Sequence, residues 1–237
     1  MKHDLNQQNY ETWQRVARIY AGEELGEDDP NMRRFVRDQF CQRLSGIKVL
    51  EIGCGPGTDA ARFAEQGLDV TATDYAQEFI AVVKARYPGL TTHVMDMTEP
   101  DLPLQSFDGI YGFGCFIHLP RSLADNTLLK LRNLLVPGGI LCLQLMASAK
   151  GILDYRIENW AGDPDCSMLF TCYGREDMVE RLTRAGYCDV DTIEIPPCIY
   201  DKLPRLVERG IQTYLCLARN PLLLPVTHPG HPSQEGI

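Results

Sequence analysis

The chain has 237 residues, 44% hydrophobic and 23% charged, the make-up of one globular unit or a core domain with an appended cover rather than of a disordered or fibrous protein. Its formal charge of −9 disfavours extended contact with a phosphate backbone, so nucleic acid is not expected as a partner. The opening MKHDLNQQNY lacks an apolar signal core, and the longest apolar stretch, around Gly138–Ala149, is interrupted by Gln144 and too short to span a bilayer, so no membrane partner and a cytoplasmic location are expected.

In chain order, a first helix is predicted from Tyr10 to about Ala21, with Trp13, Ala17 and Tyr20 on one face. An acidic turn, EELGEDDP (23–30), leads to a second helix, Met32–Leu44, and residues 1–46 read together as an N-terminal helical cover. From Lys48 to Ala149, β-rich runs (48–53, 69–74, 92–97, 107–113, 139–146) alternate with amphipathic stretches (Thr58–Gln66, Gln77–Tyr87, Ser122–Leu135), the pattern of βαβ units in a parallel sheet. Pro137-Gly138-Gly139 marks a helix stop and a strand start. The segment 151–173 has few periodic apolar positions and reads as irregular. A helix, Arg175–Ala185, and two more strands, 188–195 and 213–219, complete a count of seven; the Pro-rich tail, 221–237, is set apart. The expected fold is α/β: a Rossmann-like, doubly wound, mostly parallel seven-stranded sheet over residues 47–220, with helices on both faces. Nine cysteines, an odd number without CxxC pairs, read as free thiols in a reducing compartment, not as disulfides or a metal site.

In such a sheet ligands bind at the carboxyl ends of the strands where the winding reverses. Strand one delivers Glu51 and a loop stripped of side chains, Gly53-Cys54-Gly55-Pro56-Gly57. Its register departs from the dinucleotide pattern G-x-G-x-x-G, since Thr58 stands where the third glycine would fall, and no Gly-Lys-Ser/Thr follows as in a P-loop. Bare N–H groups beside a carboxylate suit a zwitterion better than a polyanion. Asp74, one βα unit later, can accept from both hydroxyls of a ribose, and Asp96 from the amino group of a base, with Met97 supplying backbone and an apolar face. An amino-acid end, a ribose and an adenine describe S-adenosylmethionine.

From Trp13 to Arg219 the chain resembles the class I S-adenosylmethionine-dependent methyltransferases, small-molecule group, through VLEIGCGPGTDAARFAEQG, VTATDYAQEFI, HVMDM, FDGIYGFGCFIHLP, LLVPGGILCLQL, YGREDMVERLTRAGY and TYLCLAR in that order. The resemblance implies that Glu51, Gly53, Gly55 and Gly57 hold the methionine end, with Asp74 on the ribose and Tyr75 beside it. It implies Asp96 and Met97 at the adenine, the segment Gly112–Gly114 under the sulfonium, and Tyr20 or Trp13 closing over the cofactor. Phe113 departs from the small or amide residue that many relatives have after strand four. The product would be S-adenosylhomocysteine.

Methyl transfer from a sulfonium is an in-line displacement, for which the protein mainly positions the acceptor and excludes water. His118, just past strand four, is the candidate base for an acceptor hydroxyl or ammonium, or else a hydrogen-bonded scaffold residue. Segment 151–173 is the expected cover for a small-molecule acceptor, with Tyr155, Arg156, Trp160, Phe170 and Tyr173 able to clasp it, Arg156 by pairing with a carboxylate. The reading is transfer to O or N of a small metabolite. The alternatives are an RNA or protein methyltransferase, against which stand the acidic balance and GFGCFI after strand four, and a non-catalytic S-adenosylmethionine-binding partner. A nicotinamide-dependent oxidoreductase fits neither the glycine register nor the strand-four motif.

Overall fold

The computed structural model describes residues 2–22, 30–196, 199 and 209–222. Two helices come first, α1 (Lys2–Gly22) and α2 (Pro30–Cys41), followed by β1 (Lys48–Ile52), α3 (Thr58–Glu65), β2 (Asp69–Asp74), α4 (Gln77–Arg86) and β3 (Thr91–Val94). Then come β4 (Phe107–Gly112), a 3-10 turn (Phe116–His118), α5 (Arg121–Leu134) and β5 (Leu135–Ser148). The chain continues through β6 (Asp154–Glu158), β7 (Ser167–Thr171), α6 (Arg175–Arg184), β8 (Cys188–Glu194) and β9 (Ile211–Arg219).

Seven strands form one sheet in the order β3-β2-β1-β4-β5-β9-β8. The first five pair in parallel, and β9 runs antiparallel to both β5 and β8. This is the mostly parallel seven-stranded sheet that the alternating pattern predicts. The order reverses between β1 and β4, which opens a crevice at the carboxyl ends of the central strands.

Strand periodicity divides the core between the two faces. Leu50 and Ile52 of β1 turn toward Leu128 and Leu131 of α5, while Val49 turns toward the other face with Phe63 and Val83. Met32, Val36 and Phe40 of α2, spaced i, i+4, i+8, are buried in that second cluster, so α2 belongs to the core instead of lying over it. The helix α1 packs on α4 through Ala17, Ala21, Ala76 and Phe79. It is also tied across the molecule: buried Asn9 donates to the His118 carbonyl at 2.8 Å and accepts from the Leu169 N–H at 3.1 Å.

Segment 151–173 is not irregular. Residues Asp154–Glu158 and Ser167–Thr171 pair antiparallel as a separate two-stranded sheet. No residue of β6 is buried, whereas β7 is buried almost throughout, so neither shows the alternation that marks a strand. Several bounds also shift. The first helix begins at Lys2, β5 at Leu135, and β3 ends at Val94, which leaves Asp96 and Met97 in the following loop. There the Met95 N–H still donates to the Asp74 carbonyl at 2.9 Å.

The eight described cysteines are free thiols. Among the described residues no helix is long and apolar enough to cross a membrane. The acidic turn 23–29, Cys198, residues 200–208 and the tail from 223 lie outside the described residues.

Candidate active site

A cavity of about 730 Å3 lies over the crevice, within the ~300–1,000 Å3 range of small-molecule sites. Its walls include Glu51, Gly53, Gly55, Asp74, Tyr75, Asp96 and Met97 from the tips of β1, β2 and β3, and Phe113, Gly114 and His118 from the segment after β4. Trp13 and Tyr20 reach it from α1, and Tyr155, Trp160 and Phe170 from the hairpin. The expected residues are thus mostly brought together, with three exceptions.

Gly57 does not line the cavity. It starts α3 at φ +82, and a Cβ there would lie 2.8 Å from Val83 Cγ2, so the glycine serves the close approach of α4. Tyr173 is fully buried, donates its hydroxyl to the Leu119 carbonyl at 3.1 Å and packs against Phe116: it is a core residue, not an acceptor contact. Arg156 is also absent from the lining, because its guanidinium is spent on Ser167 Oγ at 2.9 Å and Gln8 Oε1 at 2.7 Å. No carboxylate-pairing role in the cavity is open to it there.

At the glycine-loop end, Gly53 has φ +60, and a Cβ would fall 2.3 Å from Cys115 Cβ. Only a bare backbone lets β1 and the post-β4 turn meet there. Glu51 is 3% exposed, and its Oε2 has no hydrogen-bond partner. Burial, and then the negative charge of Asp59, push its carboxyl well above the usual range.

Opposite in charge is Arg33 on α2, which also lines the cavity. Its Nη1 donates to Asp59 Oδ2 at 2.6 Å, its guanidinium lies 4.3 Å over the Phe113 ring, and its Nε is buried without a partner. Asp59 is fully buried, also paired with Arg37, and receives the Tyr111 hydroxyl at 3.3 Å. Phe113 is therefore the platform for a cation.

Asp74 receives the Gly55 N–H on Oδ2 at 2.9 Å and the Ala76 N–H on Oδ1 at 2.8 Å. A carboxylate offers about four lone-pair sites, so roughly one per oxygen stays open, the number a vicinal diol needs. Burial pushes this carboxyl up to about 6. Asp96 closes a turn by accepting from the Thr98 N–H at 2.8 Å, and Tyr75 meets Tyr10 edge-on at 5.3 Å. Gln144, on β5, fixes the post-β4 loop: its Oε1 accepts from the Gly114 N–H at 3.1 Å.

At the hairpin end, His118 Nδ1 lies 2.9 Å from the Leu169 carbonyl. A carbonyl only accepts, so Nδ1 carries the proton and Nε2 the lone pair. Burial lowers the imidazole to about 4, and it is neutral at pH 7. Around it stand Trp13, Trp160 and Phe170, with ring centroids 5.6, 6.4 and 4.6 Å away. Tyr155 stacks on Phe170 at 5.0 Å and 4°.

Sequence reasoning missed Arg33, Asp59, Gln144 and Thr213. Arg33 and Arg37 share a face at i, i+4, a signal that was there to read. Nothing local marks Thr213, whose hydroxyl is buried without a partner in the cavity wall.

A family model described as a methyltransferase domain matches residues 49–139. The magnesium-protoporphyrin O-methyltransferase of Rhodobacter capsulatus is 28% identical over 110 residues, 44% of this chain and 47% of that protein. A probable S-adenosylmethionine-dependent methyltransferase of Mycolicibacterium smegmatis is 34% identical over 97 residues, 40% of this chain and 38% of that one. The chain therefore spans less than half the length of these curated relatives. Among solved structures, the Burkholderia thailandensis 1,6-didemethyltoxoflavin-N1-methyltransferase, with bound 1,6-didemethyltoxoflavin and S-adenosylhomocysteine, superposes with a TM-score of 0.71. It is 22% identical, over 93% of this chain and 91% of that one.

Proposed function

We propose that the chain transfers a methyl group from S-adenosylmethionine to an O or N atom of a small molecule: a family model described as a methyltransferase domain matches residues 49–139, and the fold is shared with a solved methyltransferase. The observation that carries this is the pair of unpartnered, buried atoms on the glycine-loop side, one from an acid and one from a base, Glu51 Oε2 and Arg33 Nε. A bound ammonium returns Glu51 to its ionised form, and a bound carboxylate completes Arg33. The pair fits a zwitterion and has no use for a pyrophosphate. The relatives and neighbours named as methyltransferases support the same reading.

The cofactor supplies a methyl carbon made electrophilic by a sulfonium, whose S–C bond breaks with its electron pair left on sulfur as the acceptor's lone pair forms the new bond. Asp74 receives the two ribose hydroxyls. Asp96 and Met97 meet the adenine beside Tyr75, and Tyr20 and Trp13 close over the ligand. Gly55 N–H stays committed to Asp74, so that loop holds the acid in place as much as the ligand.

His118 presents Nε2 to the acceptor's O–H or N–H. Its basicity decides how. An imidazole near 4 facing a phenol-like group near 10 makes complete proton removal before transfer unfavourable by about 8 kcal/mol. His118 thus orients the nucleophile, and the proton leaves through it only as the new bond develops and the acceptor grows acidic.

The acidic net charge and a cavity whose only described lysine or arginine lining residue is Arg33 favour a small acceptor over RNA, and a cytoplasmic site of action belongs to the same proposal. The test is formation of S-adenosylhomocysteine from methyl-labelled cofactor with a metabolite extract, bulk tRNA or bulk protein in parallel. Label must appear in the small-molecule fraction. Label in tRNA or protein, or saturation by NAD with no heat from S-adenosylhomocysteine, overturns the proposal.

A further inference from the structure

Resting on that reading, we infer that the methyl acceptor is a planar hydroxy- or NH-heteroaromatic, held by the hairpin half of the cavity through one donor and one acceptor of its own. The walls there are mostly rings and apolar chains, Tyr155, Phe170, Trp160, His118, Met146 and Ile157, with Glu158 the one acid of the hairpin among them. Such walls favour a flat ring, whose face and edge find complementary partners among rings set at steep angles to each other.

What the walls leave unpaired selects among acceptors. Among the described lining residues the one cation is Arg33, at the far end and bound to Asp59, while Arg156 is turned to Gln8 and Ser167. Among the described residues lining the hairpin half there is thus no lysine or arginine, and Arg209 lies over the Tyr155 ring at 5.0 Å without lining the cavity. Two polar groups in this wall have no partner: the indole Nε1–H of Trp160 and the hydroxyl of Thr213, a residue 1% exposed. With His118 Nε2, the wall offers an obligate donor, an obligate acceptor and a hydroxyl that can be either.

An ammonium has only donors and leaves the Trp160 N–H unmet. A carboxylate has only acceptors and gives nothing to His118. A ring bearing both a donor and an acceptor atom satisfies both.

The turn presenting Trp160 carries a cost that points the same way. Asn159 and Ala161, which flank it and line the cavity, have φ of +55 and +52, unusual for residues with a Cβ. The strained turn is pinned by the Trp160 N–H to the Cys166 carbonyl at 3.1 Å and by Arg15 on α1 to Asp163 at 2.6 Å. The indole is thereby held fixed against Trp13, at 5.8 Å, and Phe170, at 5.4 Å.

Calorimetry on the full chain saturated with S-adenosylhomocysteine, using 7-hydroxyquinoline, benzoate and benzylammonium as probes, tests this. The heteroaromatic should bind at least tenfold tighter than either ion. Trp160→Phe, which keeps a ring and removes the N–H, and Thr213→Val, which keeps the shape, should each weaken it about three- to tenfold, the usual range for one neutral hydrogen bond, with S-adenosylhomocysteine affinity unchanged. Equal or tighter binding of benzoate or benzylammonium, no binding of 7-hydroxyquinoline, or indifference to both variants overturns the inference. Failure of S-adenosylhomocysteine to bind the wild type is a separate result, which removes the methyl-transfer reading and the inference with it.

Discussion

Asp74→Asn puts the strand-two tip to a quantitative test. Burial raises the Asp74 carboxyl from the ordinary 3.8 to about 6. The folded state therefore holds its proton more tightly than the unfolded chain. Stability from this group is gained as pH falls from about 6 to about 4 and is absent above, and the ionised form costs the empty protein about 3 kcal/mol at neutral pH. A ribose needs that ionised form, because both oxygens already accept a backbone N–H and only the remaining lone pairs can take the diol.

If only ionised Asp74 binds, affinity scales as 1/(1 + 10^(6 − pH)): nearly constant above pH 7 and about elevenfold lower at pH 5. Asn offers one accepting oxygen and a donating NH2 in place of two acceptors, so it loses one charge-assisted bond and should bind about 10- to 100-fold more weakly at pH 7.5. Its affinity should not vary with pH, so the gap to wild type should narrow about tenfold by pH 5. Calorimetry with 5′-methylthioadenosine isolates the effect, since this nucleoside lacks the amino-acid end and does not report on Glu51. A wild-type affinity flat from pH 8 to 5, or an Asn variant that keeps the wild-type pH dependence, refutes the assignment of Asp74 to the ribose.

Four other expectations are checked more simply. Arg33→Met should weaken S-adenosylhomocysteine about 10- to 100-fold and leave 5′-methylthioadenosine unchanged; equal losses for both would place Arg33 in folding alone. The His118 imidazole, lowered from 6.5 to about 4, loses stability as pH falls through that window by about 3 kcal/mol, close to what Asp74 gains. His118→Gln should therefore gain more resistance to urea than wild type as pH falls from 6 to 4, and should lose turnover with cofactor affinity intact. Gly53→Ala places a Cβ 2.3 Å from Cys115 Cβ at φ +60 and should cost about 2–5 kcal/mol, read as a lower thermal midpoint. Arg156→Ala should leave the acceptor KM unchanged, since Gln8 and Ser167 already occupy its guanidinium.

The legible part of this molecule is the part written locally. Gly53 and the acids Glu51, Asp74 and Asp96 stand within a residue or two of strand tips, and the crevice follows from strand order, so sequence pattern sufficed to gather them. Arg33 escaped because its role depends on Asp59, twenty-six residues away, and Arg156 misled because Gln8 lies a further 148 back. The hairpin was hidden by half-buried β6 and by a turn that takes its left-handed residues from Asn159 and Ala161 instead of glycine. Long-range pairing overrode local composition in each case.

The hairpin of β6 and β7 pairs only with itself and adds no strand to the seven. A mutation in Tyr155, Trp160 or Phe170 therefore breaks no ladder in the large sheet, and reaches the nucleoside half of the cavity only through packing, as Trp160 does on Trp13 at 5.8 Å. On the proposed methyl-transfer reading, the choice of acceptor can then be reworked in this one ornament while the seven-stranded frame is inherited intact.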